Sequence, residues 1–174
     1  MKPSSRKKGA SRRKAGAAGT AGSRKRARMA RGRSGKTDVV ALACKWHPVE
    51  SMENAVADGF TLPAGVVVLP VRCTGGITVA SILKLFAKGL EGVLIMGCNE
   101  GDCHYYNGSE RCREIIKDTR EILGWSGIAP ERLGFALMSG SQGKNFEEVL
   151  GDYLKELKKA KAGRAGSGRR KRVA

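Results

Sequence analysis

The sequence predicts an α/β protein with three layers, in which helices cover both faces of a roughly four-stranded, mostly parallel sheet. Two observations lead to this prediction. Short apolar runs rich in β-branched residues recur along residues 37–160, as is typical of parallel strands that are buried on both faces. Stretches with the apolar spacing of amphipathic helices lie between these runs, and strand and helix alternate four times, which is the pattern of a layered α/β domain.

The four predicted strands are all short and largely apolar. They cover about Asp38–Ala43, Val66–Arg72, Gly92–Gly97 and Gly134–Met138. The four predicted helices follow them in turn, over about Pro48–Phe60, Val79–Ala87, Ser109–Leu123 and Phe146–Lys159. Pro48 is a favourable first-turn residue, and Val79, Ile82 and Phe86 fall on one helical face. Because each connection between strands contains a helix, we expect a flavodoxin-like sheet.

Most of the positive charge lies at the two ends of the chain. The formal net charge is +17, and residues 1–36 hold fourteen Lys or Arg and no acid, while residues 161–174 hold six more and again no acid. Both segments lack the apolar residues needed for a core, so we expect disordered basic tails. The predicted organisation is a tail at 1–36, an α/β domain at 37–160 that is slightly negative, and a tail at 161–174.

Four cysteines follow the ends of predicted strands. Cys44, Cys73 and Cys98 each end an apolar run, and Cys103 comes five residues after the third. Because the carboxyl ends of parallel strands meet at one edge of a sheet, we expect these thiols to share a metal site. For each cysteine, the alternative role is that of a small hydrophobic residue packed in the core. Packing is the expected role of Cys112, which lies inside a predicted helix.

The identity of the metal is open on residue chemistry alone. Four thiolates suit zinc and an iron–sulfur cluster equally well. His47, three residues after Cys44, is either an imidazole ligand or a hydrogen-bonded neighbour of the site. A thiol-based redox enzyme with one low-pKa cysteine is a further hypothesis. An odd number of cysteines, no apparent secretory signal and no apolar stretch of bilayer length predict a reduced, cytoplasmic protein without a membrane span.

At this edge the residues resemble a known family, the delta subunit of methyl-viologen-reducing hydrogenase. The most specific match is the run Gly92–Cys98 followed by Gly101-Asp102-Cys103-His104-Tyr105. Three further segments also resemble that family: Val71–Gly76, Ala129–Leu133 and Ser139–Phe146. The resemblance covers roughly residues 38–158 and neither tail.

The resemblance implies an electron-transfer subunit rather than a catalytic one. Its [2Fe-2S] cluster would relay electrons between a hydrogenase or formate dehydrogenase and a heterodisulfide-reductase-type flavoprotein, in anaerobic metabolism. Position by position, the implied ligands are Cys44, Cys73, Cys98 and Cys103. His47 occupies the position of the second cysteine of a family Cys-x-x-Cys, and is therefore the alternative ligand.

A second hypothesis is based on the charge of the tails. In this hypothesis the protein is a zinc-stabilised α/β module that binds nucleic acid or an acidic surface through its basic ends, because Lys and Arg neutralise phosphates. Neither tail contains an aromatic residue that could stack on a base, which favours solvated extensions instead.

Overall fold

The computed structural model describes residues 38–139 and 146–167, with side chains as far as residue 162. The four strands are β1 (Val39–Cys44), β2 (Val66–Val71), β3 (Gly92–Cys98) and β4 (Leu133–Met138). The four helices are α1 (His47–Ala57), α2 (Val79–Ala87), α3 (Gly108–Trp125) and α4 (Phe146–Ser167). Short 3-10 turns at Thr74–Gly76 and Pro130–Arg132 precede α2 and β4. The predicted tail at 1–36 and most of the loop at Ser139–Gly143 lie outside the described residues.

The sheet is parallel throughout, with strand order β2-β1-β3-β4. The predicted α/β class, strand number and parallel pairing are therefore confirmed. The central strands β1 and β3 are buried along their whole length, because helices cover both faces of the sheet. The outer strands β2 and β4 are only partly buried.

Alternating residues of each central strand supply two separate cores. Val40 and Leu42 of β1 face the side of α2 and α3, where they pack with Ile82 and Phe86. Val39, Ala41 and Ala43 face the opposite side, where three residues of α4 complete a second core, namely Phe146, Leu150 and Tyr153. Successive side chains of a strand point to opposite faces of the sheet, and each face packs against helices. The domain therefore has three layers.

The sequence predicts that Ile115, Ile116, Thr119 and Ile122 form the apolar face of α3, and two of these four, Ile115 and Ile122, are only partly buried. Ile116 and Thr119 are buried as expected, but the last buried position is Leu123 rather than Ile122. Cys112 belongs to this buried face, after Gly108 and Ser109, and is fully buried in the first core, as predicted for a packing residue. Leu123 lies three helical turns after Cys112 and therefore on the same face of the helix, which explains why Leu123 is buried.

The last helix extends past its predicted end at Lys159 and reaches Ser167. The extension, residues 160–167, contains three alanines, one lysine and one arginine, which are good helix formers, besides two glycines. Lys161 also forms an ion pair with Glu91, next to the start of β3. The first seven residues of the segment predicted as a C-terminal tail are thus helical. Within the described residues, none of the helices combines the length and apolar character needed to span a bilayer.

Candidate metal centre

The two central strands bring two of the predicted cysteines together. Cys44 is the last residue of β1 and Cys98 is the last residue of β3, and these strands pair in parallel. The thiol of Cys98 donates a hydrogen bond to that of Cys44, with the two sulfurs 3.6 Å apart. Both residues are almost completely buried. Two thiolates on one tetrahedral metal with bonds of about 2.3 Å would lie about 3.8 Å apart, so this pair already has the spacing of ligands to a common ion.

The other two cysteines form a second, more exposed pair. Cys73 follows β2 and precedes the 3-10 turn, and Cys103 lies in the loop after β3. Both are partly buried and both contact Gly108, the first residue of α3. A Cβ added at Gly108 would overlap the Cys73 sulfur and would lie 3.2 Å from the Cys103 sulfur. The glycine therefore leaves room for two thiols on the same side of the helix start.

The two pairs are close enough to affect one another's ionisation. The hydrogen bond from Cys98 lowers the pKa of Cys44 to about 6. The pKa of Cys98 is raised because the same hydrogen bond and burial favour its protonated form, and the charges of Cys44 and Cys103 add to this. Burial also raises the pKa of Cys73, with smaller contributions from Cys103 and Cys44. All four thiols thus belong to one electrostatic group.

Backbone N–H groups point at the sulfurs from several chain segments. Burial alone would raise the pKa of Cys103, but hydrogen bonds from the backbone of Tyr105, Ser109 and Gly108 outweigh it and lower that pKa. Backbone N–H groups also act to lower the pKa of the other thiols, those of Trp46 and Thr74 at Cys44, that of Gly75 at Cys73 and that of His47 at Cys98. Because α1, α3 and the 3-10 turn all begin here, their N-terminal N–H groups favour negative charge at the site.

Four aromatic residues lie beside the cysteines in the chain: Trp46 follows Cys44, and His104, Tyr105 and Tyr106 follow Cys103. The rings of Trp46 and His104 stack, with centroids 3.7 Å apart and planes 26° from parallel, and Tyr105 meets His104 edge-on. Tyr106 is 90% exposed and has a φ of 71°, a left-handed conformation that is uncommon for a residue with a side chain. Trp46 was not among the predicted site residues; its position two residues after Cys44 is the one feature of the sequence that points to it.

His47 occupies the first turn of α1, directly beside the buried pair. Its charge contributes to lowering the pKa of Cys44, and its Nδ1 atom is buried without a hydrogen-bond partner among the described residues. Cys112 is close to Cys73 and Thr74, but burial raises its pKa to about 12 and its side chain packs in the first core. Cys112 thus lies next to the four converging thiols, but as a buried packing residue of the first core.

The donor set can accommodate a group with two metal atoms. The four thiols form two neighbouring pairs, one buried and one partly exposed. A two-iron cluster needs two thiolates at each iron, with inorganic sulfide completing the coordination, whereas structural zinc needs all four ligands around one ion.

The comparisons with known proteins agree with the resemblance seen in the sequence. The family model described as "Methyl-viologen-reducing hydrogenase, delta subunit" matches residues 39–160. The chain is 31% identical to an F420-non-reducing hydrogenase iron-sulfur subunit of Archaeoglobus profundus over 122 residues, which are 70% of this chain and 89% of that protein. It is 30% identical to the F420-non-reducing hydrogenase vhc iron-sulfur subunit of Methanococcus voltae over 120 residues, 69% of this chain and 83% of that one.

A third relative carries the same segment within a much longer polypeptide. The chain is 27% identical over 119 residues to one subunit of the ferredoxin:CoB-CoM heterodisulfide reductase of Methanosarcina mazei, a match that covers 68% of this chain and 15% of that protein. The residues that the family model matches hold all four strands and all four cysteines of the site. The chain belongs to the family of the methyl-viologen-reducing hydrogenase delta subunit.

Proposed function

We propose that this chain is an electron-transfer subunit that holds a [2Fe-2S] cluster through Cys44, Cys73, Cys98 and Cys103. The observation that carries the proposal is the convergence of these four thiols at the carboxyl edge of the sheet, as two pairs. Related proteins named as iron-sulfur subunits support an iron–sulfur cofactor. The arrangement of the thiols as two neighbouring pairs, one buried and one partly exposed, supports the two-iron type, in which each iron takes two thiolates.

The surroundings of the thiols suit reversible one-electron chemistry. When bound, the cluster supplies the redox couple, and the protein sets its potential through hydrogen bonds to sulfur and through solvent exposure. Backbone N–H groups at three element starts stabilise negative charge on the sulfurs. The buried pair, Cys44 and Cys98, shields one side from water, while Cys73 and Cys103 bring the other side to the surface. That surface is where electrons would enter and leave.

The partners that we propose are a hydrogenase and a heterodisulfide-reductase-type flavoprotein. The first follows from relatives that are hydrogenase subunits. The second follows from the Methanosarcina protein, in which the matching segment is part of the reductase polypeptide itself. A domain that is covalently joined to the reductase in one organism is well suited to bind it as a separate chain in another.

Metal analysis of anoxically purified protein tests the proposal directly. We expect iron and acid-labile sulfide in equal amounts, two of each per chain, and a brown colour. Cys98→Ser and Cys103→Ser should lose iron and visible absorbance, whereas the matched control Cys112→Ser should keep both. Colourless protein containing one zinc per chain would support the zinc-stabilised module instead, and equal loss in all three variants would refute the ligand assignment.

A further inference from the structure

We propose that His47 donates a hydrogen bond from Nδ1 to a sulfur of the cluster and thereby raises the reduction potential, without being an iron ligand. This inference depends on the proposed function, because it requires a cluster on the four cysteines. It concerns a residue that the four-thiol ligand set leaves without a role.

The first observation is an unsatisfied polar atom next to the site. His47 Nδ1 is buried and has no hydrogen-bond partner among the described residues. Burying a polar nitrogen without a partner is unfavourable, and buried polar groups in native proteins are nearly always paired. The missing partner of Nδ1 is therefore expected to belong to a group that the polypeptide itself does not supply.

The second observation is the position of His47 relative to Cys44 and Cys98. It begins α1, and its backbone N–H interacts with the Cys98 sulfur. Its side chain lies near enough to Cys44 for its charge to lower the pKa of that thiol. His47 thus lies beside both members of the buried pair, which is the side of the cluster that water does not reach.

Because the four cysteines already supply the four protein ligands that a two-iron cluster needs, we infer that His47 is a hydrogen-bond donor and not a metal ligand. Two tetrahedral irons that share inorganic sulfides need four protein ligands, and four thiols converge at this site. An N–H group aimed at sulfur stabilises the reduced state more than the oxidised one, because the reduced cluster carries more negative charge. Removing the donor should therefore make the cluster harder to reduce.

Three variants of the full-length, cluster-loaded protein separate these roles. His47→Leu preserves side-chain bulk but removes the donor, and we expect its midpoint potential to fall by about 59 mV, which corresponds to a tenfold weaker electron affinity. His47→Asn retains an N–H donor at nearly the position of Nδ1 and should recover most of this difference. Asn54→Ala, at an uncharged and exposed position of the same helix, is the control and should match wild type.

The readouts are redox titration, iron and sulfide content, and pulsed EPR of protein labelled with ¹⁵N-histidine. We expect unchanged metal content in all three variants and a weak ¹⁵N coupling in wild type that His47→Leu abolishes. A strong coupling typical of direct Fe–N bonding, or loss of iron from His47→Leu, would make His47 a ligand and overturn the proposal. Equal potentials in wild type and His47→Leu would also overturn it. Iron-free wild-type protein would refute the proposed function itself, before any variant is compared.

Discussion

Gly75 and Gly108 meet backbone to backbone, with no room for a side chain between them. A Cβ built on Gly75 would lie 2.7 Å from the Cα of Gly108, closer than non-bonded carbon atoms approach. This contact joins the 3-10 turn after β2 to the first residue of α3. Since Cys73 precedes that turn and Cys103 precedes that helix, the two glycines set the distance between the two halves of the exposed thiol pair.

Gly108→Ala should therefore reduce cluster binding. The new methyl group would overlap the Cys73 sulfur and push it, or the start of α3, away from Cys103. We expect the purified variant to contain less than half the iron of wild type, as measured by iron content and visible absorbance. Gly76→Ala is the matched control, because a Cβ there meets nothing within 4 Å. Equal iron in the two variants would show that the site tolerates a side chain at Gly108.

The sequence predicted the sheet and the set of converging cysteines for one physical reason. Strands buried on both faces are apolar throughout and short, which makes them recognisable, and their shared direction brings Cys44 and Cys98 to one edge. Four glycines lie near these cysteines in the sequence: Gly75, Gly76, Gly97 and Gly101. Of these four, only Gly75 would make a prohibitive contact if it carried a Cβ, and Gly97 would make a tight one, with its nearest neighbour 3.1 Å away.

Features that depend on contacts between distant parts of the chain could not be predicted from the sequence. The role of Gly108 requires knowing that α3 begins against the turn after β2, a contact between segments more than 30 residues apart in the chain. The stacking of Trp46 on His104 joins two loops whose relative position follows only from the assembled sheet. The pairing of thiols into a buried and an exposed set likewise depends on which strands are central.

The fluorescence of Trp46 should report on the cluster. Trp46 adjoins Cys44 through its backbone N–H and stacks on His104, so a bound iron–sulfur chromophore would lie close enough to quench it. In a Trp125→Phe variant, which retains only Trp46, we expect emission to rise several-fold when a chelator removes iron under anoxic conditions. The converse variant, Trp46→Phe, keeps only Trp125, which is 81% exposed at the far end of α3. Its emission should respond much less, and an equal response would contradict this arrangement.

Tyr153→Phe should destabilise the domain without affecting the thiols. The Tyr153 hydroxyl donates a 2.6 Å hydrogen bond to the carbonyl oxygen of Arg132, and the residue is only 4% exposed. Losing this bond while leaving the acceptor in place should lower the free energy of unfolding by about 1–3 kcal/mol. Urea denaturation of the cluster-free protein measures the change. Tyr106→Phe, whose side chain is exposed, serves as the control and should unfold at the wild-type urea concentration.

The pH dependence of the cluster-free protein should reveal the shared proton of the buried pair. The hydrogen bond from Cys98 lowers the pKa of Cys44 to about 6, whereas the pKa of Cys98 is raised. One thiolate should therefore form as the pH rises through about 6, well below the usual range for a cysteine, and the second should stay protonated. Ultraviolet thiolate absorbance, followed from acidic to neutral pH under anoxic conditions, measures this step.

The variants Cys44→Ser and Cys98→Ser show whether the ionisation near pH 6 belongs to Cys44 or to Cys103, whose pKa is also lowered. Cys44→Ser removes the group that ionises, and Cys98→Ser replaces the thiol donor by a hydroxyl, which still donates to the Cys44 thiolate. We expect the step near pH 6 to vanish in the first variant and to persist, shifted, in the second. The pKa of Cys103 is also lowered, but chiefly by backbone N–H groups, so its ionisation should be the same in both. A step of full size in Cys44→Ser would assign the low pKa to Cys103 and would mean that Cys44 and Cys98 do not share a proton.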